Sequence, residues 1–238
     1  MTSGTGRLQG RIALVTGASR GIGFAVARRF AAEGAHVVAV ARTVGGLEDL
    51  DDEIRLITGQ SATLVPMDIT DGERIDQMGA ALHERFGRLD VLVGNAGVLG
   101  QLSPLAHVDP KVWDQVIAVN LTANWRLLRS MDPLLRLSDA GRAIFVTSTV
   151  GAEPRAYWGP YAVAKAGLEM LTRTYAEEVA TTPVRANLIN PGGTRTAMRA
   201  QAMPGEDPES LAAPEARTDL FVDLAAADCT ANGALYTN

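Results

Sequence analysis

Thr16-Gly17-Ala18-Ser19-Arg20-Gly21-Ile22-Gly23 stands directly after a short apolar, β-branched run, Ile12-Ala13-Leu14-Val15-Thr16. That run reads as a strand buried on both faces, as in a parallel sheet. From Gly21 to Glu33 the pattern turns helical, with Ile22, Val26 and Phe30 on one face and Gly34 as the stop. His36-Val37-Val38-Ala39-Val40-Ala41 then reads as a second strand. A phosphate group needs backbone N–H donors and the positive end of a helix dipole, and glycine permits its close approach. The strand before, the helix after and the distance to the second strand supply that context, so Gly17, Ser19, Arg20, Gly21, Ile22 and Gly23 read as a phosphate-binding turn. The competing reading is an ordinary glycine-rich turn.

The alternation continues outward. Helical patterns cover Leu47–Ile57, Ile75–Phe86, a long stretch from about Pro110 to Arg136, and Tyr161–Ala180. Strand patterns cover Thr63–Val65, Leu89–Val93, Ala143–Ser148 and Val184–Ile189, with Leu235-Tyr236 as a candidate short seventh. Such alternation predicts an α/β fold, a mostly parallel sheet with helices on both faces. With no repeat and no linker-like run, residues 1–238 read as a single domain. The widest irregular region, Gly192 to Pro214 with Pro204, Gly205 and Pro208, reads as an insertion or lid.

Composition narrows the function classes. Of 238 residues, 47% are hydrophobic and 21% charged, so the chain has the apolar mass for a core and is not of the disordered class. Twenty-two Lys and Arg against 27 Asp and Glu give −5, which argues against nucleic acid or an anionic membrane as the main partner. No apolar run approaches the ~18 residues of a membrane helix. Met1 to Arg11 is rich in Gly, Ser and Thr and has no apolar leader segment. The single Cys229 cannot form an intrachain disulfide; it reads as a partly buried small hydrophobe in a cytoplasmic protein. His36, His83 and His107 are scattered without metal-ligand spacing.

The glycine spacing T-G-x-x-x-G-x-G resembles the short-chain dehydrogenase/reductase family, and further motifs follow in family order: Asn95-Ala96-Gly97, Asn120, Ser148, Tyr161-x-x-x-Lys165 and Asn190-Pro191-Gly192. The resemblance spans almost the whole chain. It implies a three-layer, Rossmann-type doubly wound sheet of about seven strands and an NAD(P)-dependent oxidoreductase acting on a C=O/CH–OH pair. It also implies that Asn120, Ser148, Tyr161 and Lys165 are catalytic.

The residues themselves fit that chemistry. Tyr161 and Lys165, at i and i+4, share one helix face, whereas Tyr157 and Tyr175 have no lysine four residues on. Ser148 ends a strand on the carboxyl edge, where open α/β sheets place ligands. Carbonyl reduction needs a proton on oxygen, and a tyrosine near pKa ~10 gives it up more easily when an ammonium stabilises the phenolate. Tyr161 is thus the expected acid in reduction and base in oxidation, Ser148 the holder of the reacting oxygen, and Lys165 the group that lowers Tyr161. By resemblance, Lys165 also hydrogen-bonds the nicotinamide ribose, and Asn120 anchors a water that links Lys165 to solvent; otherwise Asn120 is a helix-kink residue.

By resemblance, Asp68, with Ile69 beside it, meets the adenine, although Asp68 also suits a helix cap. Asn95, Ala96 and Gly97 follow the fourth strand. Pro191, Gly192, Thr194 and Thr196 fall in the segment that meets the nicotinamide carboxamide or a phosphate. A reader of a ribose 2′-OH needs a carboxylate at the end of the second strand, but that region is Ala41-Arg42-Thr43, with no acid before Glu48. Arg42, helped by Arg20, suits a 2′-phosphate instead, so NADP(H) is expected in preference to NAD(H). Both arginines also suit a solvated surface.

The substrate pocket is expected near Val98–Leu102, Thr149–Trp158 and Thr194–Pro204. Arg155, Arg195 and Arg199 read either as anchors for an anionic substrate or as surface and salt-bridge arginines, and Trp158 as a pocket wall or a packing residue. The polar stretch from Met198 to Pro208 is expected to be mobile or ordered by cofactor. In the family, helices like 110–136 and 161–180 form a dimer face, and the tail often joins tetramer contacts. Here Asn232–Asn238 lacks the double glycine and stops early, so a homodimer is expected more firmly than a homotetramer. The alternative function is a cofactor-binding sensor or scaffold without turnover. An enoyl reductase is disfavoured, because its relatives place the lysine farther from the tyrosine.

Overall fold

The computed structural model describes residues 6–237. Met1–Thr5, part of the terminal stretch read as leaderless, and Asn238 lie outside the described residues. Seven strands, all parallel, form one sheet in the order β3-β2-β1-β4-β5-β6-β7. They are β1 (Ile12–Thr16), β2 (His36–Ala41), β3 (Thr63–Pro66), β4 (Val91–Gly94), β5 (Arg142–Val146), β6 (Arg185–Asn190) and β7 (Leu235–Thr237). Helices α1 (Gly21–Ala32), α2 (Val44–Thr58), α3 (Gly72–Phe86), α4 (Pro110–Ile117), α5 (Ala123–Arg136), α6 (Gly159–Glu178), α7 (Ala197–Ala202) and α8 (Asp219–Ala225) connect them.

Because side chains alternate across a strand, the sheet feeds two cores. Leu14, Leu92 and Phe145 pack with Met78, Leu127 and Leu168, from α3, α5 and α6. Val15, Val93 and Ile144 pack with Phe30, Leu50 and Phe221, from α1, α2 and α8. Cys229 is partly buried against this second core, as expected. The strand order reverses between β1 and β4, and the crevice at that switch point is where doubly wound sheets bind ligands.

Three differences from the sequence reading bear on function. The helix expected from Pro110 to Arg136 is interrupted by a π-helical turn, Ala118–Thr122, with Asn120 at its centre. Strand β5 stops at Val146, leaving Thr147 and Ser148 beyond the ladder, and a short 3-10 turn, Thr149–Gly151, follows. The region 192–214 is not wholly irregular: α7, capped by the Thr196 side chain, lies within it, and Thr194 bridges to Ala212. Among the described residues no helix is long and apolar enough to cross a membrane.

Candidate active site

A cleft of about 760 Å³ runs along the carboxyl ends of the strands. Of the residues expected at the site, Gly17, Ser19, Arg20, Gly21, Ile22, Arg42, Asp68, Ile69, Asn95, Ala96, Gly97, Ser148, Tyr161, Lys165, Pro191, Gly192, Thr194 and Thr196 all line it. Gly23 and Asn120 stand behind its wall. A Cβ on Gly23 would sit 2.3 Å from the Gly17 carbonyl oxygen and 2.4 Å from Asn95 Nδ2, so this glycine lets α1 close on the turn rather than facing the cleft.

The turn itself is built to receive an anion. Gly17 and Gly21 adopt φ of +68° and +59°, a left-handed backbone natural only to glycine. Arg20, at the cap position of α1, is fully extended and offers no side-chain cap, so the first N–H groups of the helix keep no local partner at a positive dipole end. Thr16, quoted in the motif but given no role of its own there, fastens the turn to β4. Its hydroxyl donates to the Val93 carbonyl (3.1 Å) and accepts from the N–H groups of Asn95 and Ala96 (3.0 and 3.1 Å). Asn95 returns a bond from Nδ2 to the Thr16 carbonyl at 2.9 Å, so its side chain shapes the turn.

At one end of the cleft lie Arg42, Thr43 and Asp68. Asp68 is not a helix cap, since Asp71 fills that place on α3. It accepts instead from the Thr70 N–H and hydroxyl (2.9 and 2.8 Å), which hold its carboxyl below the usual carboxylate range, with Arg42 assisting. Arg42 stands 3.7 Å from Asp68 and is 62% exposed along its side chain, free enough to swing toward a second anion. Thr43 caps α2 without a side-chain hydrogen bond, leaving a hydroxyl and a helix N-terminus beside Arg42.

At the other end Tyr161 (8% exposed) and Lys165 (3%) descend from the first turns of α6. The neighbouring Ser148 hydroxyl favours the phenolate, but burial is the larger influence and pushes Tyr161 up to about 12. Burial brings Lys165 down to about 8. The expectation that Lys165 lowers Tyr161 is therefore not met in the chain alone. The ammonium stands 5.5 Å from the phenol ring centroid and donates to the Val146 carbonyl at 2.7 Å. An ammonium has three donors, so further acceptors can be met in the cleft.

Support comes from Glu169, which the motifs did not flag, and from motif residues that brace the backbone. Glu169, buried one turn beyond Lys165, accepts from the Thr147 hydroxyl at 2.8 Å and from Arg173 at 3.3 Å, anchoring the residue next to Ser148. Asn190 Oδ1 accepts from the Gly192 N–H (3.1 Å), setting the left-handed turn there. The Thr194 hydroxyl donates to the Pro191 carbonyl (3.2 Å) within the same turn. The Asn120 side chain is spent on both backbone groups of Val98, at 2.8 Å each, and its carbonyl accepts from Asn124 Nδ2 at 2.9 Å. Asn120 thus braces the segment after β4.

Of the three arginines considered for an anionic substrate, Arg195 pairs with Glu209 (2.6 Å) and Arg199 with Glu206 (2.5 Å), while Arg155 lies over the Trp158 ring at 5.2 Å. Trp158 lines the cleft, edge-on to Tyr161 with centroids 6.0 Å apart.

An uncapped helix behind a glycine turn, a long cleft, an accessible arginine at one end and a buried lysine with donors to spare at the other fit an extended, phosphate-bearing dinucleotide. Comparison with known proteins agrees. The short chain dehydrogenase family model matches residues 11–207. The Escherichia coli K12 oxidoreductase YciK, itself uncharacterized, is 39% identical over 91% of this chain and 86% of its own. A Mycobacterium tuberculosis (strain CDC 1551) protein named an uncharacterized NAD-dependent oxidoreductase is 36% identical over 83% of this chain and 76% of its own. Among solved structures, an E. coli CFT073 protein described as a short chain dehydrogenase complexed with NADPH superposes with a TM-score of 0.95, at 38% identity and 98% coverage of both chains. The chain belongs to the short-chain dehydrogenase family of oxidoreductases.

Proposed function

We propose that the chain interconverts a carbonyl and an alcohol using NADP(H), as one domain with residues 192–214 forming the substrate side. The observation that carries this reading is the buried pair Tyr161 and Lys165, with half-buried Ser148, at one end of a cleft whose other end holds Arg42. The cofactor supplies or accepts the hydride. Tyr161 gives its hydroxyl proton to the carbonyl oxygen in reduction and takes it back in oxidation. Ser148 holds that oxygen by a second hydrogen bond and so fixes the direction of proton transfer. Lys165 binds the ribose hydroxyls nearest the reacting carbon, and the N–H groups at the start of α1 bind the diphosphate. Arg20, Asn95, Ala96, Gly97, Thr194 and Thr196 wall the cofactor, while Asp68 and Ile69 meet the adenine.

Reduction of a ketone, aldehyde and quinone panel, followed by loss of NADPH absorbance, tests the activity. Tight NADPH binding with no turnover on any of them would favour a sensor of the same fold. A sensor has no use for a buried proton donor, and the intact trio weighs against it.

NADP(H) selection rests on Arg42 and on the open N-terminus of α2 beside Thr43. A 2′-phosphate gains a charge-assisted pair there, whereas a 2′-OH meets no carboxylate other than the one Thr70 already occupies. Replacing Arg42 with Ala is expected to raise KM for NADPH about tenfold and leave KM for NADH nearly unchanged. A wild-type preference for NADH would overturn this choice of cofactor.

We also propose a homodimer or larger assembly, in the cytoplasm. Trp125 on α5 and, two turns apart on one side of α6, Val163 and Met170 are 45%, 46% and 62% exposed, apolar side chains that an assembly through these helices would cover. Light scattering is expected to report a dimer or tetramer, and Met170→Glu to shift it toward monomer. A monomeric wild-type chain at micromolar concentration would exclude the assembly.

A further inference from the structure

We infer that the carbonyl end of the cleft accepts an uncharged, flat, apolar carbonyl compound, typified by an aryl ketone, and rejects one with a carboxylate beside the reacting carbonyl. This rests on the reading of Tyr161 as the proton donor. The walls around Tyr161 are Val98, Leu99, Trp158, Met198 and Ala202, all of which line the cleft and pack in one apolar cluster with it. Trp158 meets Tyr161 at 68° between ring planes, so an aromatic ring entering the cleft finds a ring face or edge next to the donor.

The Trp158 wall is held in place. Tyr157 adopts φ +75°, a left-handed backbone that an aromatic side chain takes up only when its surroundings force it. The Tyr157 carbonyl accepts from the Ser103 N–H (3.1 Å), tying this segment to the loop that carries Leu99. The Arg155 guanidinium lies over the Trp158 ring.

Charge at this end is already spoken for. Glu206 takes a fork from Arg199 Nε and Nη2 at 2.5 and 2.6 Å, and its carboxyl is held below the usual range by Arg199 and, at longer reach, Arg155. Arg195 pairs with Glu209. Lys165 gives one of its three donors to the Val146 carbonyl, and on the proposed reading the others go to the ribose of the cofactor. A carboxylate next to the reacting carbonyl would have to displace Glu206 or Glu209 from its arginine, or draw Arg155 off the Trp158 ring, and giving up those contacts is costly.

The test uses methyl benzoylformate and benzoylformate, a ketone pair differing by one charge. Two quantities are measured: kcat/KM with NADPH, and the dissociation constant of each ketone for the NADP+-loaded protein by calorimetry. The ester is expected to lead in both by about thirtyfold, the order set by one lost hydrogen bond to a charged group. Glu206→Gln releases Arg199 and is expected to narrow that gap about tenfold, as a freed charge-assisted donor would. Trp158→Ala is expected to raise KM for the ester about tenfold with kcat changed far less, as lost ring burial would. Equal or tighter binding of benzoylformate by the wild type, or no response of the gap to Glu206→Gln, overturns the inference. If NADPH binds and neither ketone is reduced, the proposed activity falls, while the ratio of dissociation constants still decides substrate class.

Discussion

Replacing Tyr161 with Phe is expected to lower the rate of carbonyl reduction by about a thousandfold, within the range a positioned general acid contributes. Affinity for NADPH is expected to stay within about threefold, because the groups assigned to the cofactor, from the glycine turn to Lys165, are untouched. The Phe ring keeps the packing against Trp158 and loses only the hydroxyl that Ser148 neighbours. Stability should therefore move by no more than about 1 kcal/mol, the net worth of one hydrogen bond. The direction of the Tyr161 pKa sharpens the expectation. At about 12, raised by burial, the phenol stays protonated across the physiological range, which suits a proton donor; oxidation has to wait for a nearby positive charge to ease the proton off. Stopped-flow rates and a fluorescence titration of NADPH measure both quantities. A Tyr161→Phe protein that still turns over within tenfold of the wild-type rate would remove Tyr161 from the chemistry.

What the sequence could show was governed by distance along the chain. Strands β1 and β2 begin and end at the residues read from pattern alone, because Gly17 and Gly34 punctuate them locally. The Tyr161–Lys165 pair was legible because its geometry is one helical turn. Contacts made across long separations were not. Thr16 and Asn95 meet over 79 residues, Thr147 and Glu169 over 22, and Asn120 and Val98 over 22. Only the folded sheet brings these together, so Glu169 carried no signal, Thr16 only its place in the glycine motif, and Asn120 an ambiguous one. Its π-helical turn is invisible to apolar periodicity, which one extra residue per turn barely disturbs over five residues. The pairing of Arg195 and Arg199 with Glu209 and Glu206 lies close in sequence, yet an irregular segment offers no periodicity from which to read it. Tyr157 is a different case: nothing in an aromatic residue announces a left-handed backbone, and its surroundings impose one.

Lys165→Met separates the lysine's catalytic part from its structural cost. Turnover is expected to fall by about a hundredfold or more, since the cation that would stabilise the phenolate and hold the ribose is gone. The ligand-free protein, by contrast, should become more stable at pH 7.5. Burial depresses Lys165 from 10.5 to about 8, so keeping an ammonium there costs the fold free energy; at ~1.4 kcal/mol per unit that is about 3 kcal/mol. Methionine has a similar length and no charge, but it leaves the Val146 carbonyl without this donor, which offsets the gain by about 1 kcal/mol. The net expected gain is about 2 kcal/mol, read as a higher denaturant midpoint at unchanged slope. Because the folded pKa lies below the unfolded one, the penalty is complete below about pH 8 and fades as pH climbs toward 10.5, where both states are neutral. The wild type should therefore gain on Lys165→Met between pH 8 and 9.5. Tyr161, raised rather than lowered, acts in the opposite direction only above about 10 and is present in both proteins. A stability difference that stays constant across that window, or a wild type more stable than the variant at pH 7.5, would mean that water in the cleft solvates the ammonium. Lys165 would then have to be drawn into the site by the cofactor rather than held there by the fold.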